Sequence, residues 1–496
     1  DAQARALLSA DVNVEELDDT SLSLRLDDAA RGQLQRLSAS IRALRDLRWR
    51  YVEGPSGRGR AAVGMTNSTG CSSVWASTYP YNPYPFPWVN HLFQDAPSVA
   101  IGIFEGHMRK MADNFIAVRR AELLAGGGYD ADRDEKFFAT FDWRQFNDEE
   151  FELCPPVMAI GGDGAMLDIG FQNLSRLLAS GKPIRVLVLD TQVYSNTGGQ
   201  ACTSGFTGQI ADMSAFGAAQ RGKEETRKEL ALIAMAHRGA FVHQTSQASA
   251  SHLIGGVIRG LRSRRPAVFS IYTPCPVEHG LPDEWAPHSA RLALESRAFP
   301  YLTYDPDAGS TFADCLSLEG NPAVDELWPS YRLEYEQDGE TREMELPLTV
   351  ADWAATEARF RKHFTEVPEA KWNEDMVPFH EFIALPADER DGKTPYIHAA
   401  HGDRRLRRLR VTPEIVQLAA DRLLFWNQLR ELAGLILPDS VRDTFATSLE
   451  AEFEARMSAI TAEYERRIDE LKATYPKVVA RRMAEGLLRG GNGSRT

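Results

Sequence analysis

The sequence predicts an α/β protein built on a doubly wound parallel sheet. Three observations carry that reading. Between residues 61 and 301, short apolar runs of strand length alternate with segments of helical periodicity. One run ends in a Gly-Gly-Asp-Gly turn, at 161–164, that leads into a helical pattern. A second run ends in a polar, glycine-closed loop, and 28 positions separate Asp163 from Thr191. A strand, crossover helix and strand take about 30 residues, so both strand ends fall at one edge of a parallel sheet.

The elements follow in order. Residues 1–28 are acidic and weakly patterned. Leu34, Leu37, Ile41, Leu44 and Leu47 recur at helical spacing, predicting a helix over 29–51 that ends at the break 53–59. Strands are expected at 61–65, 157–160, 184–190, 241–244 and 267–272, and helices at 169–178, 223–237 and 249–261. Beyond Tyr301 the chain is rich in Asp, Glu, Pro and Trp, its patterns are short, and 302–410 receive no fold. A helix is expected over 412–436, stopping before Pro438. Another over 439–474 carries one apolar stripe on a charged body, to dock on the rest of the chain or pair with another copy. The glycine-rich tail from 490 is expected to lack structure. The domains so drawn are 1–60, an acidic segment and helix; 61–320, the α/β domain; 321–410, an extension of unknown fold; and 411–496, a helical region.

Composition narrows the function. The 496 residues carry a net charge of −14, with 43% hydrophobic and 25% charged residues. That is a soluble globular composition, and its acidity argues against nucleic acid as a partner. No apolar run approaches the roughly 20 residues that span a bilayer. Five cysteines, at 71, 154, 202, 275 and 315, form no secreted disulfide framework. A cytoplasmic protein without a membrane partner is expected. The chain begins with Asp1 in what reads as running sequence, either a piece of a longer polypeptide or a separate subunit.

The two strand ends hold the chemistry. Gly162 and Gly164 allow close approach of a phosphate, the following helix offers N–H groups, and Asp163 is a hard oxygen ligand suited to Mg²⁺. The Thr191 hydroxyl and a carbonyl from the next loop could complete a metal shell. Gly162-Asp163-Gly164, followed by Leu189-Asp-Thr-Gln-Val-Tyr-Ser-Asn-Thr-Gly-Gly-Gln200, resembles the thiamine-diphosphate-binding domain of the pyruvate:ferredoxin (flavodoxin) oxidoreductase family. Thr69-Gly70-Cys71-Ser72-Ser73 and Trp88-Val-Asn90-His-Leu-Phe93-Gln-Asp95 resemble two further blocks of that family. The resemblance covers roughly 61–320.

The resemblance implies that Asp163, Thr191 and the Val193 carbonyl hold Mg²⁺. It places Gly162, Gly164, Thr69, Gly70 and Cys71 around thiamine diphosphate, and Asn196 as the polar catalytic contact near the thiazolium and substrate. It also implies a proximal [4Fe–4S] cluster whose ligands include Cys71 and Cys275. The family's other two cluster cysteines form a Cys-x-x-Cys pair, and residues 1–70 contain no cysteine. Cys154, Cys202 and Cys315 are read as structural, with Cys202 a candidate for oxidation, and His279 as a cluster-side residue.

The activity implied is oxidative decarboxylation of pyruvate or a related 2-oxoacid to acyl-coenzyme A, with electrons passed to ferredoxin or flavodoxin. The pyrimidine-binding half must come from upstream domains or a partner subunit, and a homodimer is expected by resemblance. The alternatives are a non-oxidative thiamine-dependent decarboxylase or synthase, and a non-catalytic scaffold subunit. Two other features receive structural readings: the basic run Arg404–Arg410 as a solvated face, and the Tyr/Pro stretch 79–88 as a wall beside the cofactor. His237, His243 and His252 are read as local hydrogen-bonding residues.

Overall fold

The computed structural model describes residues 28–77, 88–91, 94–212, 222–400, 402–437 and 439–490. Its centre is an eight-stranded sheet: β1 (Gly64–Ser68), β2 (Trp88–His91), β3 (Val157–Gly162), β4 (Arg185–Asp190), β5 (Phe241–Ser246), β6 (Ala267–Tyr272), β7 (Leu302–Tyr304) and β8 (Leu316–Ser317). The spatial order is β2-β1-β3-β4-β6-β5-β7-β8. The first six strands in that order are parallel, and β7 and β8 close one edge antiparallel. The main domain is therefore α/β with a largely parallel sheet, as the alternating pattern requires. From β1 the chain moves outward to β2, then returns and builds in the opposite direction through β3 and β4. That reversal opens a crevice between the carboxyl ends of β1 and β3, where α/β sheets receive ligands.

Strands β3, β4, β5 and β6 stand where their apolar runs put them. β1 begins three residues later than the 61–65 run suggests, because Met65, Thr66, Asn67 and Ser68 are the residues buried between β2 and β3. Polar Thr66 fits there because its hydroxyl donates to the Ala96 carbonyl at 3.0 Å.

Helix α1 (Asp28–Val52) precedes the sheet, and α2 (Cys71–Ser77) follows β1. The 30-residue α3 (Ala96–Ala125) has no counterpart in the sequence reading. It buries Ala100, Phe104, Met108, Met111 and Phe115, one step of three and otherwise four, beneath the sheet. Gly102 and Gly106 interrupt that pattern in sequence. Helix α4 (Phe171–Ala179) starts only after a wide helical turn at Gly164–Ile169, and α5 is confined to Leu230–Met235. The missing half of the expected 223–237 helix is irregular, because its cations bind backbone. Lys223 donates to the carbonyls of Gly205 and Glu225, each at 2.9 Å, and Arg227 donates to that of Ser204. Helices α6 (Ala250–Arg262) and α7 (Pro276–His279) flank β6 in the chain.

Residues 330–411 form two small sheets. Strands β9 (Ser330–Gln337) and β10 (Glu340–Pro347) make a hairpin, and α8 (Val350–Ala355) follows. Strands β11 (Phe364–Val367), β12 (Met376–Pro378), β13 (Thr394–Ala399) and β14 (Arg407–Val411) form a mixed sheet in the order β11-β14-β13-β12. In the basic run, Arg408 stacks on Trp372 and Tyr396, and Arg407 pairs with Asp403 at 2.8 Å. Helix α9 (Pro413–Leu432) packs across. Trp353 and Phe360 share one buried core with Phe206, Tyr272 and Leu418, which joins this region to the sheet.

The chain divides into two units, Asp1–Ala433 and Gly434–Thr496. The second holds α10 (Asp439–Gly490), a single 52-residue helix that runs past the expected end at 474 and through Pro476. Among the described residues no helix is long and apolar enough to cross a membrane.

Candidate functional site

Strand β3 delivers Asp163 to the carboxyl edge of the sheet, and β4 delivers Thr191 beside it. Asp163 is 1% exposed. The Thr191 amide donates to Asp163 Oδ1 at 3.1 Å, and Thr191 Oγ1 lies 3.1 Å from the same oxygen. Thr191 Oγ1 also lies 2.9 Å from the Val193 carbonyl, and Ser195 Oγ donates to it at 2.9 Å. One hydroxyl proton cannot serve both the carboxylate and the carbonyl. Three oxygens therefore converge where a cation would satisfy them. The two separations from Thr191 Oγ1, 3.1 Å to Asp163 Oδ1 and 2.9 Å to the Val193 carbonyl, are near the edge of a Mg²⁺ octahedron, about 2.9 Å for bonds of about 2.0–2.1 Å.

The backbone between Thr191 and Val193 makes this convergence possible. Gln192 adopts φ 62°, a left-handed conformation rare outside glycine. It turns the Thr191 hydroxyl and the Val193 carbonyl toward one point. The other carboxylate oxygen, Asp163 Oδ2, accepts from Ser204 Oγ and, at 3.2 Å, from the Cys202 thiol.

A cavity of about 190 Å³ opens over these atoms. Every residue expected at the cofactor lines it: Thr69, Gly70 and Cys71 from the end of β1, Gly162, Asp163 and Gly164 from β3, and Thr191, Val193 and Asn196 from the loop after β4. At Gly164 a Cβ would lie 2.3 Å from the Tyr194 ring, so only glycine lets the ring close over this turn. The wide turn at 164–169 is pinned by Asp168, which accepts from Tyr194 Oη at 3.1 Å and from Thr203 Oγ1. Wide helical turns of this kind recur at functional sites.

Beneath the loop lies a buried polar network that the sequence reading missed. His279 is wholly buried, and its Nε2 donates to the Thr191 carbonyl at 2.8 Å. The ring thus supports the loop after β4, which replaces the cluster-side placement expected for it. His279 Nδ1 faces Glu357 at 3.6 Å. Glu357 also accepts from Ser289 at 2.7 Å, Tyr272 at 3.2 Å and Arg359 at 2.6 Å. Burial by itself would raise its pKa, but Arg359 and His279 outweigh it and hold the carboxyl down to about 2. Arg359 reaches past Glu357 to Gln192 Oε1 at 2.7 Å and Gln209 Oε1 at 3.2 Å, and Gln209 donates to the Gln192 carbonyl at 2.9 Å. Residue 192 is thus held at its side chain and its backbone. No local signal could have found these partners, because Gln192 and Arg359 are 167 residues apart.

A second buried chain of charges starts at Asp190, which pairs with Arg227. It continues to Glu229 at 3.3 Å, from there to Arg422 of α9 at 2.6 Å, and to Asp421 at 2.5 Å. Both ends of β4's carboxyl edge are therefore anchored in residues far along the chain.

The cysteines separate by environment. Cys71 opens α2 at the cavity rim and Cys275 caps α7. Partial desolvation first, and the neighbouring Cys275 second, push the Cys71 thiol above its usual range. Cys154 and Cys315 are buried. Cys202 is buried too, and burial and the Asp163 carboxylate push its thiol far up, which is the opposite of an oxidation-prone thiolate. His237, His243 and His252 make local hydrogen bonds to Ser175, Thr303 and Thr245. Among the described residues no group of three or more His, Cys, Asp or Glu side chains is placed to hold a metal. The Tyr/Pro stretch 79–87 and Phe93 lie outside the described residues.

The glycine turn, the neighbouring oxygens and the cavity lie together at the carboxyl edge of the sheet, and comparison with known proteins shows what the chain is similar to. Residues 152–271 match the thiamine pyrophosphate enzyme family, C-terminal TPP-binding domain. The pyruvate:ferredoxin oxidoreductase of Moorella thermoacetica is 29% identical over 281 residues, 49% of this chain and 24% of that protein. A probable pyruvate-flavodoxin oxidoreductase of Escherichia coli is 30% identical over 284 residues, 52% of this chain and 24% of that protein. The pyruvate synthase subunit PorB of Methanocaldococcus jannaschii is 28% identical over 264 residues, 51% of this chain and 78% of that subunit. The chain spans about a quarter of the length of the first two relatives. It is a thiamine-diphosphate-binding protein by its matched domain. Over about half its length it is similar to pyruvate:ferredoxin and pyruvate-flavodoxin oxidoreductases and to a pyruvate synthase subunit.

Proposed function

We propose that the chain binds thiamine diphosphate with Mg²⁺ in a 2-oxoacid:acceptor oxidoreductase that converts pyruvate or a related 2-oxoacid to its acyl-coenzyme A. The observation that carries this is the convergence of Asp163 Oδ1, Thr191 Oγ1 and the Val193 carbonyl under the cavity. In this reading those three atoms would hold Mg²⁺, which would offset the charge of the diphosphate. Gly162 leaves room for the phosphates against the backbone, and Gly164 lets the Tyr194 ring close over the turn beside them. Asn196, at the cavity wall, offers an amide to the polar groups of the substrate. Thiamine diphosphate, when bound, supplies the nucleophilic carbon that decarboxylation of a 2-oxoacid needs. The chain's part is to orient it, through oxygen ligands fixed by Ser204, Cys202 and the Gln192 turn.

Cys71 and Cys275 are proposed as two ligands of a [4Fe–4S] cluster beside the cavity, with the other two thiolates from outside this chain. The pyrimidine-binding half, and ferredoxin or flavodoxin as electron acceptor, are proposed on the family relationship. Calorimetric titration of the native assembly with Mg²⁺–thiamine diphosphate tests the site. Asp163→Ala is expected to lower affinity by more than about 100-fold, since it removes the carboxylate ligand together with the oxygen that orients it. Unchanged affinity would refute the assignment.

A further inference from the structure

The helix α10 carries a symmetry of its own. Most of its large apolar residues are arranged as a palindrome about Tyr464, with Val478 and Leu488 outside it. Ile460 and Ile468 lie four residues to either side, Met457 and Leu471 seven, and Phe453 and Tyr475 eleven. The series continues outward with Leu449 and Val479 at fifteen, Phe445 and Met483 at nineteen, and Val441 and Leu487 at twenty-three. All of these are exposed in the helix except Val479, which is half-buried. A palindromic stripe fits itself when one copy is turned end for end, which is the requirement of a two-fold, self-complementary interface.

Charge selects the same arrangement. The arm 439–463 holds six acidic and two basic residues, a net of −4. The arm 465–490 holds four acidic and seven basic residues, a net of +3. Antiparallel pairing lays each acidic arm against a basic one, whereas parallel pairing stacks like on like. The period agrees with a continuous contact at the centre. From Phe453 to Tyr475 the stripe advances in two mirrored repeats of eleven residues, which keeps it near one face of a helix and favours a gentle right-handed crossing. That central stripe is about 33 Å long at 1.5 Å per residue. Further out the steps are all of four, so the stripe winds away, and the centre is the main contact.

We infer that α10 pairs antiparallel with the α10 of a second copy of this chain, on a two-fold axis at Tyr464. Disulfide trapping in the full chain tests both the pairing and its direction. The native cysteines all lie outside the helix. Under mild oxidation, Tyr464→Cys is expected to yield a covalent dimer of twice the chain mass. Phe453→Cys alone is expected to stay unlinked, while Phe453→Cys combined with Tyr475→Cys links. Ile460→Glu, added to Tyr464→Cys, is expected to reduce trapping at least tenfold. A Tyr464→Cys chain that stays unlinked overturns the proposal, as it would if α10 lay on its own chain or on a different protein. Ready linking of Phe453→Cys alone also overturns it, because that places the helices parallel.

Discussion

At the scale of single residues, the site depends on Gln192. Its left-handed backbone aims two of the three converging oxygens, and its side chain is held only by the Arg359 guanidinium among the hydrogen bonds described above. Gln192→Ala is expected to weaken Mg²⁺–thiamine diphosphate binding by about 10–100-fold, the usual effect of losing an outer-shell support. Gln192→Val should do worse, because a β-branched residue resists φ 62°. Calorimetry against the unsubstituted chain checks both. His243 gives a pH prediction. Burial, then the neighbouring His252, lower its pKa to about 3. A histidine that stays neutral in the fold contributes stability above its unfolded pKa of about 6.5, and that stability is lost as pH falls toward 3. Melting temperature should therefore decline below pH 6.5, and His243→Gln should flatten the decline. Glu357 acts in a lower window. Its depressed pKa gives stability that is present above about 4.5 and lost as pH falls toward 2.

At the scale of elements, the wide turn between β3 and α4 accepts nothing larger than glycine at 164. Gly164→Ala drives a methyl into the Tyr194 ring and is expected to cost about 1–3 kcal/mol, read as a lowered melting temperature, with cofactor affinity reduced as the ring shifts. The strands and this turn were legible because their signals are local: an apolar run, a glycine pair, an aspartate and a fixed spacing. Helix α3 was not, because Gly102 and Gly106 break its pattern in sequence while Phe104 and Met108 still pack. The segment 223–229 reads as helix by periodicity but is irregular, since Lys223 and Arg227 bond to carbonyls of a distant loop. The sheets of 330–411 were illegible for a related reason. The hairpin β9–β10 is largely exposed, strands β11–β14 are short, and the core here is shared with Tyr272 and Phe206. Trp353 is fully buried edge-on to Phe206, so Trp353→Ala is expected to destabilise the chain by about 3–5 kcal/mol in denaturant unfolding.

At the scale of the whole molecule, the cavity rim and the α7 cap bring Cys71 and Cys275 close enough to interact, and no further thiol joins them among the described residues. If the pair ligates a cluster, the remaining thiolates come from elsewhere in the assembly. Cys275→Ala in the native assembly is then expected to leave thiamine diphosphate binding intact while removing the proximal cluster's electron paramagnetic resonance signal. A retained signal would refute its role as a ligand. The described chain alone is expected not to oxidise pyruvate, and turnover by this chain unaided would sink the proposed dependence on a pyrimidine-binding partner. The resemblance, and the residues that line the cavity, could be read from four short motifs. The brace beneath the site could not, because it joins residues that only the finished fold brings together.

That brace has a consequence for biosynthesis. The loop that aims Thr191 and Val193 is made early, but the guanidinium that fixes it arrives 167 residues later. A growing chain can lay down β1, β3 and β4 and still lack a settled cation pocket until residue 359 has left the ribosome. At about 5–20 residues per second, that delay is roughly 8–33 seconds. On the proposed function, cofactor capture is thereby deferred at least until the Arg359 brace is in place.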